Sequence, residues 1–249
     1  MRLESKTICA LLLFIALFRP GLKAQTAKKD SPVLDSAFAV ALRQYHAYVS
    51  PDPSLYRGAL YPEYAYQIKT GHPYFEDSLI RGALLYNGVL YEHIPLIYDV
   101  VLDVVVINDP YNIWKIALNR EHLDSFTVEN HSFVRIGDSL NPTAPRNGFY
   151  EQLYRGRVRL FRKETKSIQM EASWAGLQFE KYTLTVISYY LKKGETYYAV
   201  NNRQSLLTAL KDKSSQVKKF IRSNHLRMRN DKENTLVKVI TWYDGLTAR

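Results

Sequence analysis

The chain has 249 residues, and its 34 lysine and arginine residues against 24 acidic residues give a formal net charge of +10. The one cysteine, Cys9, lies in a segment that we expect to be removed. The mature chain would then have no thiol, which excludes disulfide bonds, thiol catalysis, zinc–thiolate sites and a lipid-modified N-terminal cysteine. The rest of the chain is long enough to bury a hydrophobic core.

Residues 1–24 have the order of a secretory signal peptide. Arg2 and Lys6 precede the apolar run 8–18, and a helix breaker and the small residue Ala24 follow it. This order is typical of a cleaved signal, so we expect cleavage after Ala24. The apolar run is shorter than the roughly 20 residues that span a bilayer, although an uncleaved N-terminal anchor is the alternative. The sequence therefore predicts export, to the periplasm or the outer cell envelope.

Residues 25–53 are predicted to form a polar leader and one amphipathic helix. Ser31 and Pro32 suit the helix start, because a capping oxygen is followed by proline at the first helical position. Apolar residues then recur at helical spacing, at Leu34, Phe38, Ala41, Leu42 and Tyr45. Two prolines in residues 50–53 are expected to end the helix.

Tyrosines dominate residues 54–78, where we expect a loop with one short strand near Tyr64–Lys69. The whole chain holds nineteen tyrosines, an unusual load. Their rings can stack on ligands and form adhesive surfaces, although strands also use tyrosine for packing alone. We take Tyr61, Tyr64 and Tyr74 as candidate ligand-binding residues.

Residues 54–200 are predicted to form an antiparallel β domain. Asn87-Gly88 separates two apolar runs and is a strong hairpin signal, because both residues accept positive φ. Arg155-Gly156 and Lys193-Gly194 are expected to join two further hairpins, and residues 96–107 to form one long or two short strands. Repeated neighbouring hairpins favour a meandering sheet of eight to ten strands.

Residues 201–249 hold eleven basic and four acidic residues, so the basic excess of the mature chain lies in this tail. Asn202, Asp212 and Asp231 suit the caps of three short helices, the last ended by Gly245. We expect these helices to pack on the same domain. The predicted fold class is therefore α+β, with a curved antiparallel sheet or open barrel-like core, an N-terminal helix and three C-terminal helices.

Asp99 and Asp103 interrupt a valine-rich stretch. On one extended strand they would face the same side about 13 Å apart, too far for a two-carboxylate glycosidase pair. In the functional interpretation, both aspartates line a cavity inside a curved sheet as ligand-binding residues. The structural alternative, which we favour, is that the tyrosine-rich segment pairs with them.

Arg155, Arg157 and Arg159 are predicted to alternate along one face of the second hairpin, continued by Lys163. Such a ladder can hold the phosphate or carboxylate of a glycan or a lipid headgroup, which makes the three arginines candidate ligand-binding residues. The alternative is the solvated face of a strand that also protects a sheet edge.

The sequence shows no catalytic signature. The six histidines are scattered without metal-ligand spacing, and no serine nucleophile motif occurs. We therefore predict no catalytic residue, no metal site and no cofactor. A basic tail is typical of nucleic-acid binding, but predicted export argues against a nucleic-acid partner. Peripheral contact of the tail with an anionic membrane surface or an acidic partner stays open, as does the oligomeric state.

Two parts of the chain resemble known proteins. The segment 85–99, LYNGVLYEHIPLIYD, and the ending from Tyr197 to Asp244 are similar to small exported proteins of unknown function from bacteria with outer membranes. The resemblance covers most of residues 55–245. It implies export and a β-rich core with a helical tail, and it implies no activity, cofactor or site residue.

The leading functional hypothesis is a non-enzymatic periplasmic or envelope-associated protein that binds a partner or an envelope component. Predicted export, the missing catalytic signature, the tyrosines and the basic tail favour it. One alternative is a hydrolase whose site is assembled from distant residues, such as Asp99, Asp103 and a histidine. The other is a periplasmic lipid carrier built on an open barrel.

Overall fold

One antiparallel sheet of eleven strands makes up most of the structure. The computed structural model describes residues 54–137, 143–172 and 179–247. The strands are β1 (Ala59–Leu60), β2 (Ile80–Tyr86), β3 (Val89–Asp99), β4 (Val104–Asn108), β5 (Lys115–Ala117), β6 (Leu123–Val128), β7 (His131–Ile136), β8 (Gly148–Arg155), β9 (Val158–Ala172), β10 (Phe179–Lys193) and β11 (Thr196–Ala199). The predicted signal peptide, leader and N-terminal helix lie outside the described residues.

The sheet is open. Its strands pair in the order β1-β5-β4-β3-β2-β6-β7-β8-β9-β10-β11, so that β1 and β11 are the two edges. An open antiparallel sheet with a few helices confirms the predicted α+β class. The sheet does not close into the barrel-like core that the sequence left as an alternative.

The first predicted hairpin is confirmed in detail. Asn87 and Gly88, with φ angles of 52° and 75°, join β2 to β3, and Tyr86 lies directly opposite Val89. A two-residue turn with both φ angles positive matches the twist of the strands on either side. Residues 96–107 form two strands, β3 and β4, separated by a four-residue turn.

The second and third predicted hairpins are also present, the second between β8 and β9 and the third between β10 and β11. The turn between β8 and β9 lies at Gly156 and Arg157, one residue later than predicted. The strands β9 and β10 are fifteen residues long and pair along their whole length. Residues 166–171 belong to the outer half of β9.

The tyrosine-rich segment has no strand at Tyr64–Lys69, so that prediction is wrong. Its extended pieces are the two-residue strand β1 and two isolated bridges, Thr70 to Tyr182 and Tyr74 to Asp99. The tyrosines in this segment raise its β propensity, but two of their hydroxyls bind a buried carboxylate described below. Tertiary contacts of this kind override propensity in short segments.

Three helices follow the sheet: α1 (Arg203–Ala209), α2 (Ser214–Ser223) and α3 (Lys232–Thr247). Asn202 caps α1 through a reciprocal pair of bonds with Ser205, and the Asp231 carboxylate accepts the Asn234 N–H of α3 at 3.1 Å. Both caps were predicted. None of the helices within the described residues has the length and apolar character needed to cross a membrane.

Two details of the predicted tail are wrong. Asp212 does not cap α2, whose cap position is Lys213 with no side-chain bond. The Asp212 carboxylate instead accepts hydrogen bonds from Lys193 at 2.6 Å and from the Tyr243 hydroxyl at 2.7 Å. Gly245 does not end α3, which continues to Thr247.

The apolar residues form two main clusters. The first is aromatic and includes Phe126 and Phe133, whose stacked rings lie 4.7 Å apart. The second lies between the β9–β10 hairpin and the helices, where Leu160 and Leu191 pack against Leu206, Leu210, Val217, Leu236 and Ile240. Burying each such side chain contributes roughly 1.5–3 kcal/mol. Because side chains alternate along a strand, the neighbours of Leu160 project from the sheet face opposite the helices.

Candidate functional site

The structure brings Tyr61, Tyr64, Tyr74 and Asp99 together. Asp99 ends β3 and is fully buried. One of its carboxylate oxygens accepts hydrogen bonds from the hydroxyls of Tyr61 at 2.6 Å and Tyr64 at 2.9 Å. The other oxygen accepts the Leu102 N–H at 2.9 Å, and Tyr74 bridges Asp99 through the backbone.

The contacts of this cluster lie within the fold. Burial raises the pKa of Tyr61 and Tyr64 well above the usual range, and the hydrogen bonds to Asp99 add to the rise. Both hydroxyls therefore stay protonated donors. Tyr61 is buried, and both oxygens of Asp99 are engaged. The geometry favours the predicted pairing of the tyrosine-rich segment with Asp99, and it does not support a hydrolase that uses this carboxylate.

Asp103 belongs to a second cluster, because the turn after β3 separates it from Asp99. Its carboxylate accepts hydrogen bonds from the Tyr98 hydroxyl at 2.5 Å and from Lys163 Nζ at 2.8 Å. Lys163 comes from β9, five strands away from β3 in the sheet order. Burial lowers the pKa of Lys163, and the charge of Asp103 opposes that effect. A Cβ at Gly148 would lie 2.4 Å from Asp103 Oδ2, so the cluster requires glycine there.

A network of charged side chains, missed in the sequence, joins β7, β8, β9 and α3. Glu151 is buried and lies 2.6 Å from His131 Nδ1 and 2.8 Å from Arg162. Arg162 also contacts Glu164 at 2.6 Å and Glu233 at 3.3 Å. Burial acts to lower the pKa of Arg162, but the hydrogen bond to Glu151 and the charges of Glu164 and Glu233 outweigh it and raise that pKa.

The register explains why this network was missed. Counting back from the β8–β9 turn pairs Glu151 with Lys163, but a bulge between Gln152 and Tyr154 moves Glu151 opposite Arg162. A one-residue shift of this kind also changes the sheet face. Without knowledge of the bulge, the spacing of these charged residues in the sequence carries no signal for such a network.

The three candidate arginines do not act as one ladder. Arg157 lies in the turn, and its backbone N–H donates to Asp244 Oδ2 at 3.2 Å. Arg155 and Arg159 lie directly opposite each other on β8 and β9. They line a depression of about 590 Å³ together with Lys192 and Tyr197. Lys163, the predicted continuation of the ladder, binds Asp103 instead.

The helical tail forms a second basic surface. A groove of about 770 Å³ lies between the start of α1, the end of α2 and the α2–α3 loop. Ile221, Leu226 and Met228 supply its apolar lining, and its cations are Arg203, Arg227, Arg229 and Lys232. The described residues bring no three histidine, aspartate or glutamate side chains together as a metal site.

Comparison with protein families, with curated protein sequences and with solved structures finds no match for this chain. The resemblance to small exported proteins stays a prediction. The candidate surfaces must therefore be judged from their own chemistry.

Proposed function

We propose that this protein is an exported, non-enzymatic binding protein of the cell envelope whose helical tail contacts an anionic phospholipid surface. One observation carries the proposal. All four acidic residues of the tail are engaged in contacts within the molecule, whereas eight of its ten described basic residues are exposed.

The acidic residues are used in four ways. Asp212 binds Lys193 and Tyr243, and Asp231 caps α3. Glu233 accepts a hydrogen bond from the Tyr189 hydroxyl at 3.2 Å. Asp244 accepts one from the Tyr154 hydroxyl at 2.9 Å.

The basic residues in the described part of the tail are not paired with acidic side chains. Across residues 203–247, no lysine or arginine forms an ion pair with a carboxylate of the described chain. The exposed ones are Arg203, Lys211, Lys218, Lys219, Arg222, Arg227, Arg229 and Lys238. The tail therefore presents an excess of positive charge, which attracts an anionic partner and repels a cationic one.

The spread of these charges favours a membrane surface over a small ligand. They extend over all three helices and the segments between them, and the groove there has an apolar lining. Basic clusters beside apolar side chains are typical of contact with anionic lipid, to which each lysine or arginine near the surface contributes about 1 kcal/mol. The predicted signal peptide would bring the chain to such a surface.

The test is sedimentation of the full processed chain with lipid vesicles. We expect binding to an equal mixture of phosphatidylglycerol and phosphatidylcholine, no binding to phosphatidylcholine alone, and loss of binding at high salt. The double variant Arg227→Gln/Arg229→Gln should lower the partition constant about tenfold or more, as expected for two lost cations.

The matched control is Arg57→Gln/Arg81→Gln, which removes two exposed arginines of the β domain and changes the net charge equally. We expect this control to bind vesicles like the natural chain. Equal losses in both doubles would mean that net charge alone drives binding, and binding to neutral vesicles would contradict the proposal. The N-terminal sequence of the purified protein checks export separately, with Gln25 expected first.

A further inference from the structure

The sheet face opposite the helices carries a row of cations that the membrane contact does not use. Arg155, Arg159, Lys192 and Tyr197 lie on four consecutive strands, β8 to β11, each directly opposite the next. We propose that this row and the aromatic side chains beside it bind a phosphate monoester that has a ring-shaped body.

The row is unfavourable for the sheet itself. Side chains directly opposite each other on neighbouring strands have Cβ atoms roughly 5 Å apart, and like charges at such positions are destabilising. Two such like-charge pairs follow each other here, Arg155 with Arg159 and Arg159 with Lys192. A bound anion would attract all three cations and so offset both repulsions.

Among the described residues, countercharge is scarce around the row. Glu195 Oε2 lies 3.2 Å from Lys192 Nζ, and the Glu195 side chain is 92% exposed. Arg155 and Arg159 have no ion-pair partner among the described residues. Arg135 also contributes to the lining of the depression.

The number and type of these cations favour phosphate over carboxylate. Arginine offers a planar fork of N–H donors that matches two oxygens of a phosphate group at once. Three to four positive charges around one depression exceed the single charge of a carboxylate and suit the two charges of a phosphate monoester. The volume of about 590 Å³ lies within the range of small-molecule sites.

Aromatic side chains beside the row favour a ligand with a ring. Phe161 is buried, and its ring centroid lies 6.4 Å from that of Tyr197. Ile136 and Val134 belong to the same apolar cluster and line the same depression. Lys192 Nζ lies 5.4 Å from the Tyr197 ring, so the cationic and aromatic parts of the site adjoin. An anionic group at the row would leave the body of its ester over these rings.

Calorimetric titration of the full chain at low salt tests the site, with inorganic phosphate, 4-nitrophenyl phosphate and 4-nitrobenzoate as probes. We expect 4-nitrophenyl phosphate to bind at least threefold more tightly than inorganic phosphate, because only the ester has a ring. The carboxylate probe should bind at least tenfold more weakly than the ester, since it carries one charge.

Three variants separate the parts of the site. Arg155→Gln/Arg159→Gln should weaken binding of both phosphate probes at least tenfold, as expected for lost charge-assisted bonds. Tyr197→Leu should remove the preference for the ester and leave inorganic phosphate unchanged. Arg227→Gln/Arg229→Gln, the tail double, should bind every probe like the natural chain. Equal losses in the two doubles, or no binding by the natural chain, would overturn the proposal.

Thermal unfolding gives an independent readout. Because Arg159 faces a cation on each side, Arg159→Gln should unfold at the same temperature as the natural chain or higher. A lower unfolding temperature would mean that the row serves the sheet and would contradict a binding role. Sedimentation of Arg155→Gln/Arg159→Gln with vesicles that contain phosphatidic acid, a lipid with a phosphate monoester headgroup, identifies the source of the phosphate. Unchanged binding indicates a free ester, and a loss limited to these vesicles indicates a headgroup.

Discussion

Asp99 and its tyrosines show what a single buried carboxylate does at the residue scale. Two hydroxyls and one backbone N–H surround it, and they come from segments up to 38 residues away in the chain. Sequence patterns indicated that the tyrosine-rich segment pairs with the aspartates of the valine-rich stretch. They did not indicate which hydroxyl meets which oxygen, because such contacts depend on the path of a segment without regular structure.

We predict that Tyr61→Phe lowers the free energy of unfolding by about 1.5–3 kcal/mol, because a hydrogen bond to a charged acceptor is lost in a buried place. Urea unfolding measures the change. The control is Tyr111→Phe, since the Tyr111 side chain is 81% exposed and should lose almost nothing. If both variants unfold alike, the Asp99 cluster does not stabilise the fold.

Local chemistry explains which parts could be predicted at the element scale. The turn at Asn87-Gly88 and the caps at Asn202 and Asp231 need only neighbours in sequence, and all three are confirmed. Asp212 looked like another cap, but its carboxylate satisfies Lys193 and Tyr243 from elsewhere in the fold. The bulge in β8 is likewise set by tertiary packing, and with it the side chains that Glu151 meets.

Two glycines in the β2–β3 hairpin should differ in their tolerance of a side chain. A Cβ at Gly82 would lie 2.0 Å from the backbone oxygen of Thr127, which cannot move without breaking the pairing of β2 with β6. A Cβ at Gly88 meets nothing within 4 Å, but the residue has a φ of 75°. We predict that Gly88→Ala costs about 1 kcal/mol through backbone strain.

We expect Gly82→Ala to cost about 3 kcal/mol, because the added methyl group overpacks against backbone of β6 that is held by the strand pairing. Urea unfolding of the two variants side by side gives the comparison. Equal costs would show that β2 and β6 separate easily at this position.

At the scale of the whole molecule, the chain divides its charges by role. Within the described residues, the central part of the sheet uses acids and bases for contacts with each other, whereas the tail uses its acids internally and exposes its bases. Residue counts predicted the basic tail, and the spacing of turn and cap residues predicted the α+β class. It did not predict the use of each acid, which depends on packing between α3, β8 and β10.

The buried tyrosines make the stability of the fold depend on pH in the alkaline range. Burial raises the pKa of Tyr61, Tyr64 and Tyr98 above 10 in the fold, and that of Tyr189 to about 12. A group with a raised pKa in the folded state contributes stability that is complete below its unfolded pKa and is lost as the pH rises through the folded one. We therefore predict that the urea midpoint falls steadily from pH 10 upward.

Lys163 acts in the opposite direction, because its pKa is lowered in the fold. Its contribution to the free energy of unfolding therefore rises with pH until the pH reaches the pKa of lysine in the unfolded chain. Four tyrosines against one lysine leave a net fall. Urea unfolding from pH 8 to 11, with phenolate absorbance recorded in parallel, measures it. A midpoint that stays constant to pH 11 would contradict the role assigned to the buried hydroxyls, and Tyr61→Phe should flatten the slope.

The long β9–β10 hairpin has a mechanical consequence. Its root, from Val158 to Arg162, pairs with β8 on one side, and the matching part of β10 pairs with β11. Beyond that root the two arms bond mainly to each other, braced from the side by Thr70 and Lys69. Amide protons of the outer paired residues should therefore exchange with solvent when the hairpin alone opens, whereas those at the root should exchange only when the whole sheet opens.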